Sequence, residues 1–120
     1  MNSLLAAMQG AWILTGYRQI GNLESSVPTA LSATLQVEDA IFEFYAGCNT
    51  IRCTYDAVGD SLTPLEGFMT AMGCDREQET IELIFSQFLD GEVVGDAHGG
   101  RLTLTSSLGC TAVFAAVERK

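Results

Sequence analysis

The chain has 120 residues, 48% of them apolar and 18% charged, a length and balance that fit one globular domain and exclude a disordered chain. Six basic residues face fifteen acidic ones, for a formal net charge of −9. That field repels phosphate backbones and anionic membrane surfaces, and no compact basic cluster overrides it.

No apolar run approaches the ~18 residues of a membrane span, and no repeat or linker divides the chain. One domain over 1–120 is expected, with no nucleic-acid partner and no direct membrane insertion. The acidic balance reads as a solvated surface rather than a dedicated binding face. Leu4 to Met8 is apolar, but no basic residue precedes it and Gln9-Gly10 soon follows. It therefore lacks the build of a secretory signal. As written the chain reads as cytoplasmic, or as a periplasmic or envelope form from which a signal was removed.

Ser3 is placed to cap a short helix over Leu4, Leu5 and Met8, which Gly10 ends. Trp12 and Leu14 alternate with Ala11, Ile13 and Thr15, predicting a first strand to about residue 18. Gly21-Asn22, Ser25-Ser26 and Pro28 mark a loop. Leu31, Ala33, Leu35 and Val37 then alternate with Ser32, Thr34, Gln36 and Glu38, a half-buried strand. Glu38-Asp39 reads as a tight turn into a second strand, with Phe42, Phe44 and Ala46 on one face and Ile41, Glu43 and Tyr45 on the other.

Gly47 breaks that strand. After Asn49, Ile51, Cys53, Tyr55 and Ala57 share a face. Gly59-Asp60 turns the chain, and Leu62 with Leu65 marks the return. Pro64 predicts that this return is short or lies at an edge. The period then changes: Ile81, Ile84, Phe85 and Phe88 form one apolar helix stripe. Asp75, Glu77 and Glu79 crowd the helix start, where the dipole favours negative charge. The helix is expected at about 75–89, ended by Asp90-Gly91 and covering one opening or face of the sheet. Val93-Val94 is a weak strand. Leu102 and Leu104 follow the Gly99-Gly100 turn, and a loop over Ser106-Ser107-Leu108-Gly109 leads to a last strand anchored by Val113 and Phe114.

The expected fold is α+β and mainly β: a curled antiparallel sheet or partly open barrel of about seven strands, one packed amphipathic helix, and a short N-terminal helix. The order of Trp12 on a first strand, Gly47-Cys48-Asn49 after a hairpin, Thr70-Ala71-Met72-Gly73-Cys74 before a helix, and Leu102-Thr103-Leu104 near the end resembles the META domain (HslJ-like, heat-inducible) family. The resemblance runs from about residue 10 to 117. It implies a small β-rich domain, often exported or tethered as a bacterial envelope lipoprotein. It also implies links to stress, antibiotic tolerance and secretion, with no established reaction and no catalytic residues. The chain departs from the pattern in having no lipoprotein cysteine near its start. Cys53 and Cys110 are extra to the motif pair, and Cys53-Thr54 stands where a glycine usually precedes the aromatic at Tyr55.

Four cysteines, Cys48, Cys53, Cys74 and Cys110, allow three full pairings. Cys48 and Cys74 sit at turns flanking one hairpin, which makes them the candidate disulfide, oxidised in an exported protein and reduced in a cytoplasmic one. Cys53 reads as a small core residue. No closely spaced ligand pairs exist and His98 is the one histidine, so neither a metal site nor another cofactor is expected. No C-x-x-C pair or G-x-S-x-G motif is present. Asn49 reads as a turn residue before a ligand contact, and Thr70 as a turn residue ahead of the helix. Arg18, Arg52 and Arg101 stand on polar strand faces, singly ordinary and together a conceivable partner site.

The expected function is a non-enzymatic binding or structural module working through an unknown protein partner, as a monomer or weak homodimer. Gly47, Cys48, Asn49, Thr70 and Cys74 are its motif residues. Two alternatives stand beside it. One is a small-ligand carrier with a cavity lined by Phe42, Phe44 and Tyr55. The other is a cysteine enzyme with an accessible thiol of lowered pKa.

Overall fold

A computed structural model describes residues 2–19, 25–26, 33–70 and 73–117. The expected loop at Gly21-Asn22 and Pro28, the first residues of the second strand at Leu31 and Ser32, and Ala71-Met72 of the second motif lie outside the described residues.

The described elements run α1 (Ser3–Met8), β1 (Gly10–Arg18), β2 (Ser25–Ser26), β3 (Thr34–Glu38), β4 (Ile41–Tyr45), β5 (Thr50–Val58), β6 (Ser61–Met69), α2 (Arg76–Gln87), β7 (Val93–His98), β8 (Arg101–Thr105) and β9 (Thr111–Ala116). From β3 to β9 each strand pairs antiparallel with the next, and β1 pairs with both β3 and β9. Eight strands thus close a barrel, to which β2 adds two residues beside Gly16 and Tyr17 of β1. The expectation of about seven strands in a partly open sheet is corrected on both counts. The weak Val93-Val94 segment becomes a six-residue strand because β8 pairs with it from Val94 to His98 and β6 pairs with Val93 and Val94. Closure joins β1 to β9 across nearly the full chain, a pairing that local alternation does not encode.

Alternation does set which side chains face inward. Leu35, Val37, Phe42, Phe44, Ile51, Cys53, Tyr55, Leu62, Leu102, Leu104 and Phe114 are all buried. Deviations sit at element ends. Asn2 rather than Ser3 caps α1, its Oδ1 accepting from the Leu5 N–H at 3.1 Å. The β3–β4 turn falls at Asp39-Ala40, one residue later than expected, with Asp39 at φ 53°. Asp39 tolerates that left-handed conformation, and Gln9 braces it through hydrogen bonds to both its N–H and its carbonyl, at 2.8 and 2.9 Å. The second helix begins after Asp75 and ends at Gln87, and Phe88 and Leu89 form its closing turn.

The largest departure is β6. It is nine residues long, not short. Pairing with β7 stops at Leu62, so from Thr63 onward no described residue pairs with its outer side. Pro64 marks that change, as the edge expectation required. Of the two leucines that mark the return, Leu62 is buried and Leu65 is exposed. Tyr55 faces Pro64 while Thr54 faces Glu66, so Leu65 is the extra residue of a bulge and turns outward.

The helices close opposite ends of the barrel. At one end α1 lies by the β3–β4 and β5–β6 turns, through Gln9 to Asp39 and Asn2 Nδ2 to the Gly59 carbonyl. At the other, α2 inserts its apolar stripe beside the β4–β5 turn. Phe85 stands 5.1 Å from the Phe44 ring on β4 and 6.2 Å from Phe114 on β9. Contact with strands three places apart round the ring makes α2 a plug rather than a lid on one face.

Candidate functional site

The residue cluster with the richest chemistry lies where α2 enters the barrel. Gly47, at φ 94°, ends β4 with a conformation that suits glycine. Cys48 and Asn49 follow in the turn, and β5 starts at Thr50. On the other side, Thr70 follows β6, and Gly73 and Cys74 lead to Asp75, the cap residue of α2. Gln78 ties the two sides together. Its Oε1 accepts from the Asp75 N–H and its Nε2 donates to the Gly47 carbonyl, both at 3.1 Å.

Cys48 and Cys74 are bonded as a disulfide, with Cα atoms 6.0 Å apart and a sequence separation of 26. The bond encloses the whole β5–β6 hairpin. A loop of that length lowers the entropy of the unfolded chain by an amount equivalent to about 3 kcal/mol.

Asn49 is buried and organises what lies beneath the disulfide. Its backbone N–H donates to Glu82 Oε2 at 3.2 Å and its Nδ2 donates to Glu82 Oε1 at 2.9 Å. Its Oδ1 accepts from the Thr70 hydroxyl at 3.0 Å, while the Thr50 N–H donates to Thr70 Oγ1 at 2.9 Å. Because Thr70 Oγ1 accepts from Thr50, its own proton points to Asn49. That sets the amide orientation: oxygen toward Thr70, nitrogen toward Glu82. The same Nδ2 lies 3.2 Å from Cys74 Sγ. The turn role expected of Asn49 and Thr70 therefore coexists with a second role, holding a carboxylate.

That carboxylate was not anticipated. Glu82 is only 8% exposed, and no described residue forms an ion pair with it. One oxygen lies 3.1 Å from Cys74 Sγ. A buried acid normally requires compensation from a cation or several donors, and Asn49 supplies two. The signal available in sequence was an acidic residue bordering the Ile81, Ile84, Phe85 stripe. Cys48 Sγ, Cys74 Sγ and a Glu82 oxygen all lie within 4.8 Å of one another.

The other candidates do not converge. His98 is highly exposed and its Nδ1 meets Asp96 Oδ1 at 3.2 Å, as expected of a solvated turn. Cys53 and Cys110 are free and buried. Burial pushes the Cys53 thiol up from its ordinary value, and burial with Cys53 alongside pushes the Tyr55 phenol up as well. The Tyr55 hydroxyl donates to the Phe88 carbonyl at the end of α2. Arg18, Arg52 and Arg101 are exposed on β1, β5 and β8, and Arg52 stands three strands round the ring from each of the others.

The META domain profile matches residues 6–119 of the chain. No curated protein matches it. Among solved structures, the fold is similar to an NMR structure of a protein from Burkholderia xenovorans. The TM-score is 0.73 at 19% identity, covering 98% of this chain and 88% of that one. A second NMR structure has a TM-score of 0.73 at 16% identity, covering 96% and 95%. A lipocalin-like protein from Bacteroides uniformis has a TM-score of 0.61 at 16% identity, covering 92% and 99%. At these identities the likeness is one of fold.

Proposed function

The chain belongs to the META domain family, and we propose that this member is a non-catalytic binding module that works through protein contacts in a bacterial stress or envelope setting. The observation that carries this reading is the outer side of β6. From Thr63 to Met69 its backbone groups have no described strand partner. Along it Leu65, Phe68 and Met69 are 64%, 56% and 49% exposed. Beside it, Met69, Glu79, Glu82, Leu83 and Ser86 line a groove of about 210 Å³. An open edge offering main-chain hydrogen bonds and an adjoining apolar groove suits an extended segment of a partner protein added as a further strand.

Two observations weigh against the alternatives. A carrier needs room among Phe42, Phe44 and Tyr55, yet the Phe42 and Tyr55 rings stand 4.5 Å apart and Phe44 stacks on Phe88 at 5.8 Å. A cysteine nucleophile needs an accessible thiol with a lowered pKa. Cys53 and Cys110 are buried, Cys53 is shifted upward, and the other two are bonded.

The test is site-specific photocrosslinking in living bacteria, with the probe at position 68 on β6 or at position 43 on the outer face of β4. Defined adducts from 68 and none from 43 are expected. An adduct of twice the chain's mass identifies a second copy as the occupant, and another mass a different protein. Equal labelling from both positions, or none from either, overturns the reading.

A further inference from the structure

The sulfurs and carboxylate under the β4–β5 turn form a set whose chemistry the disulfide leaves unused. We propose that, once the Cys48–Cys74 bond is reduced, Cys48, Cys74 and Glu82 bind one cation of the zinc class. Three observations point to this. The three donor atoms already lie within 4.8 Å of one another. The Glu82 carboxylate is buried and meets the Asn49 donors but no cation of any described residue, so its negative charge is left for an ion to neutralise. And the carboxylate is aimed before any ion arrives, because Asn49 holds both of its oxygens and Thr70 holds Asn49.

Two thiolates and one carboxylate select a borderline-soft cation over magnesium or calcium, which take all-oxygen shells. Zinc–sulfur bonds of about 2.3 Å in a tetrahedral site place the two sulfurs about 3.8 Å apart. Side-chain torsions reach that spacing with Cα atoms 6.0 Å apart. Asn49 Nδ2, 3.2 Å from Cys74 Sγ, then acts as an outer donor to the thiolate. Both cysteines are half-buried, which leaves the fourth coordination position to water. The net charge of −9 raises the local concentration of cations.

A dithiol gives up two electrons and becomes a disulfide, the Cys48–Cys74 bond breaks, and each sulfur receives one proton. The cation then displaces both protons to solvent and binds two thiolates and the carboxylate. The same loop is closed covalently under oxidising conditions and through the metal under reducing ones.

The experiment reduces the 120-residue chain anaerobically with a phosphine, which leaves as its oxide with oxygen from water, and titrates it with Co²⁺. One equivalent is expected to produce sulfur-to-cobalt charge transfer and the visible bands of a tetrahedral site, and Zn²⁺ to displace it. The Cys48→Ser/Cys74→Ser chain keeps Cys53 and Cys110 and is expected to give no such bands. Glu82→Gln is expected to weaken Zn²⁺ binding by about tenfold or more. Thr70→Val, a change at an exposed position that frees the Asn49 amide, is expected to weaken it about tenfold and keeps the proposal open to refutation if Glu82→Gln fails to fold. The proposal is overturned by a reduced chain without the bands or one that stays unfolded with Co²⁺ present. Bands that survive the double serine change, or folded Glu82→Gln and Thr70→Val chains that bind as the parent does, overturn it equally.

Discussion

The two ends of the barrel are closed by helices held in opposite ways. At the α1 end a six-residue helix buries Leu4, Leu5 and Met8, and Leu4 lies over Gly95, where a Cβ would stand 2.9 Å from it. Its polar contacts are short in sequence or reach only to turns: Trp12 Nε1 to the Met8 carbonyl at 2.8 Å, Gln9 to Asp39, Asn2 to Gly59. At the α2 end a twelve-residue helix is tied by a disulfide, a buried carboxylate and a phenol, all reaching 25 residues or more along the chain. A six-residue helix has no stability of its own in water, so α1 exists because the barrel is already there. The α2 end is different: its ties help to bring distant strands together.

The sharpest way to break that contrast is to hollow out the plug. Phe85→Ala removes a fully buried ring that touches β4 and β9. A loss of about 4 kcal/mol in urea unfolding is expected. Next in size is Cys48→Ser/Cys74→Ser, expected to lose about 3 kcal/mol under oxidising conditions. Trp12 is the only tryptophan and sits at the α1 end, so it tells the ends apart. In the double variant its native fluorescence is expected to stay unchanged while the unfolding midpoint falls. A shifted native spectrum shows the ends to be coupled and removes the distinction.

This separation explains what the sequence made legible. Strands β3, β4 and β5 show alternation strong enough to read each face, and the two cysteine turns flank the hairpin visibly. Ring closure was hidden because the β1–β9 pairing carries no local signature. The length of β6 was hidden because Pro64 reads as a stop, while the bulge at Leu65 lets pairing with β5 run on to Met69. The polar half of the site was hidden for another reason. Asn49 and Thr70 have ordinary turn roles, Glu82 looks like one more acid on an acidic helix, and only the fold brings Glu82 beneath the disulfide. Metal-ligand spacing in sequence gave no hint, since the three donors come from the β4–β5 turn, the lead into α2, and its second turn.

A smaller effect tests the polar tie at the far end of α2. Tyr55→Phe removes the hydroxyl that donates to the Phe88 carbonyl and leaves that acceptor buried, for an expected loss of about 2 kcal/mol at neutral pH. The pH dependence has a definite sign. Burial holds the Tyr55 proton on in the folded chain, above its ordinary value of 10.0, while the unfolded chain releases it there. Stability is thus complete below that value and falls as pH rises beyond it. Cys53, raised from 9.0, adds a loss that begins about one unit earlier. Urea midpoints measured from pH 8 to 11 are expected to decline less steeply in Tyr55→Phe than in the parent. Parallel declines place the alkaline sensitivity elsewhere.

The smallest effect belongs to the α1 end and asks whether that helix is positioned by its cap or by its apolar face alone. Asn2 performs two tasks. Its Oδ1 accepts from the Leu5 N–H, and its Nδ2 donates to the Gly59 carbonyl across 57 residues. Ser3, the cap the sequence favoured, is exposed and lies inside the helix. Asn2→Ala is therefore expected to cost about 1 kcal/mol, a fall of roughly 4 °C in Tm for a domain of this size, with Ser3→Ala close to neutral. Trp12 fluorescence during thermal unfolding reads both variants, because the indole is bonded to Met8 at the other end of the same helix. A silent Asn2→Ala means that Leu4, Leu5 and Met8 hold α1 unaided. The contrast between the ends then becomes one of bond type, with apolar packing alone at one and a disulfide, a buried carboxylate and a phenol at the other.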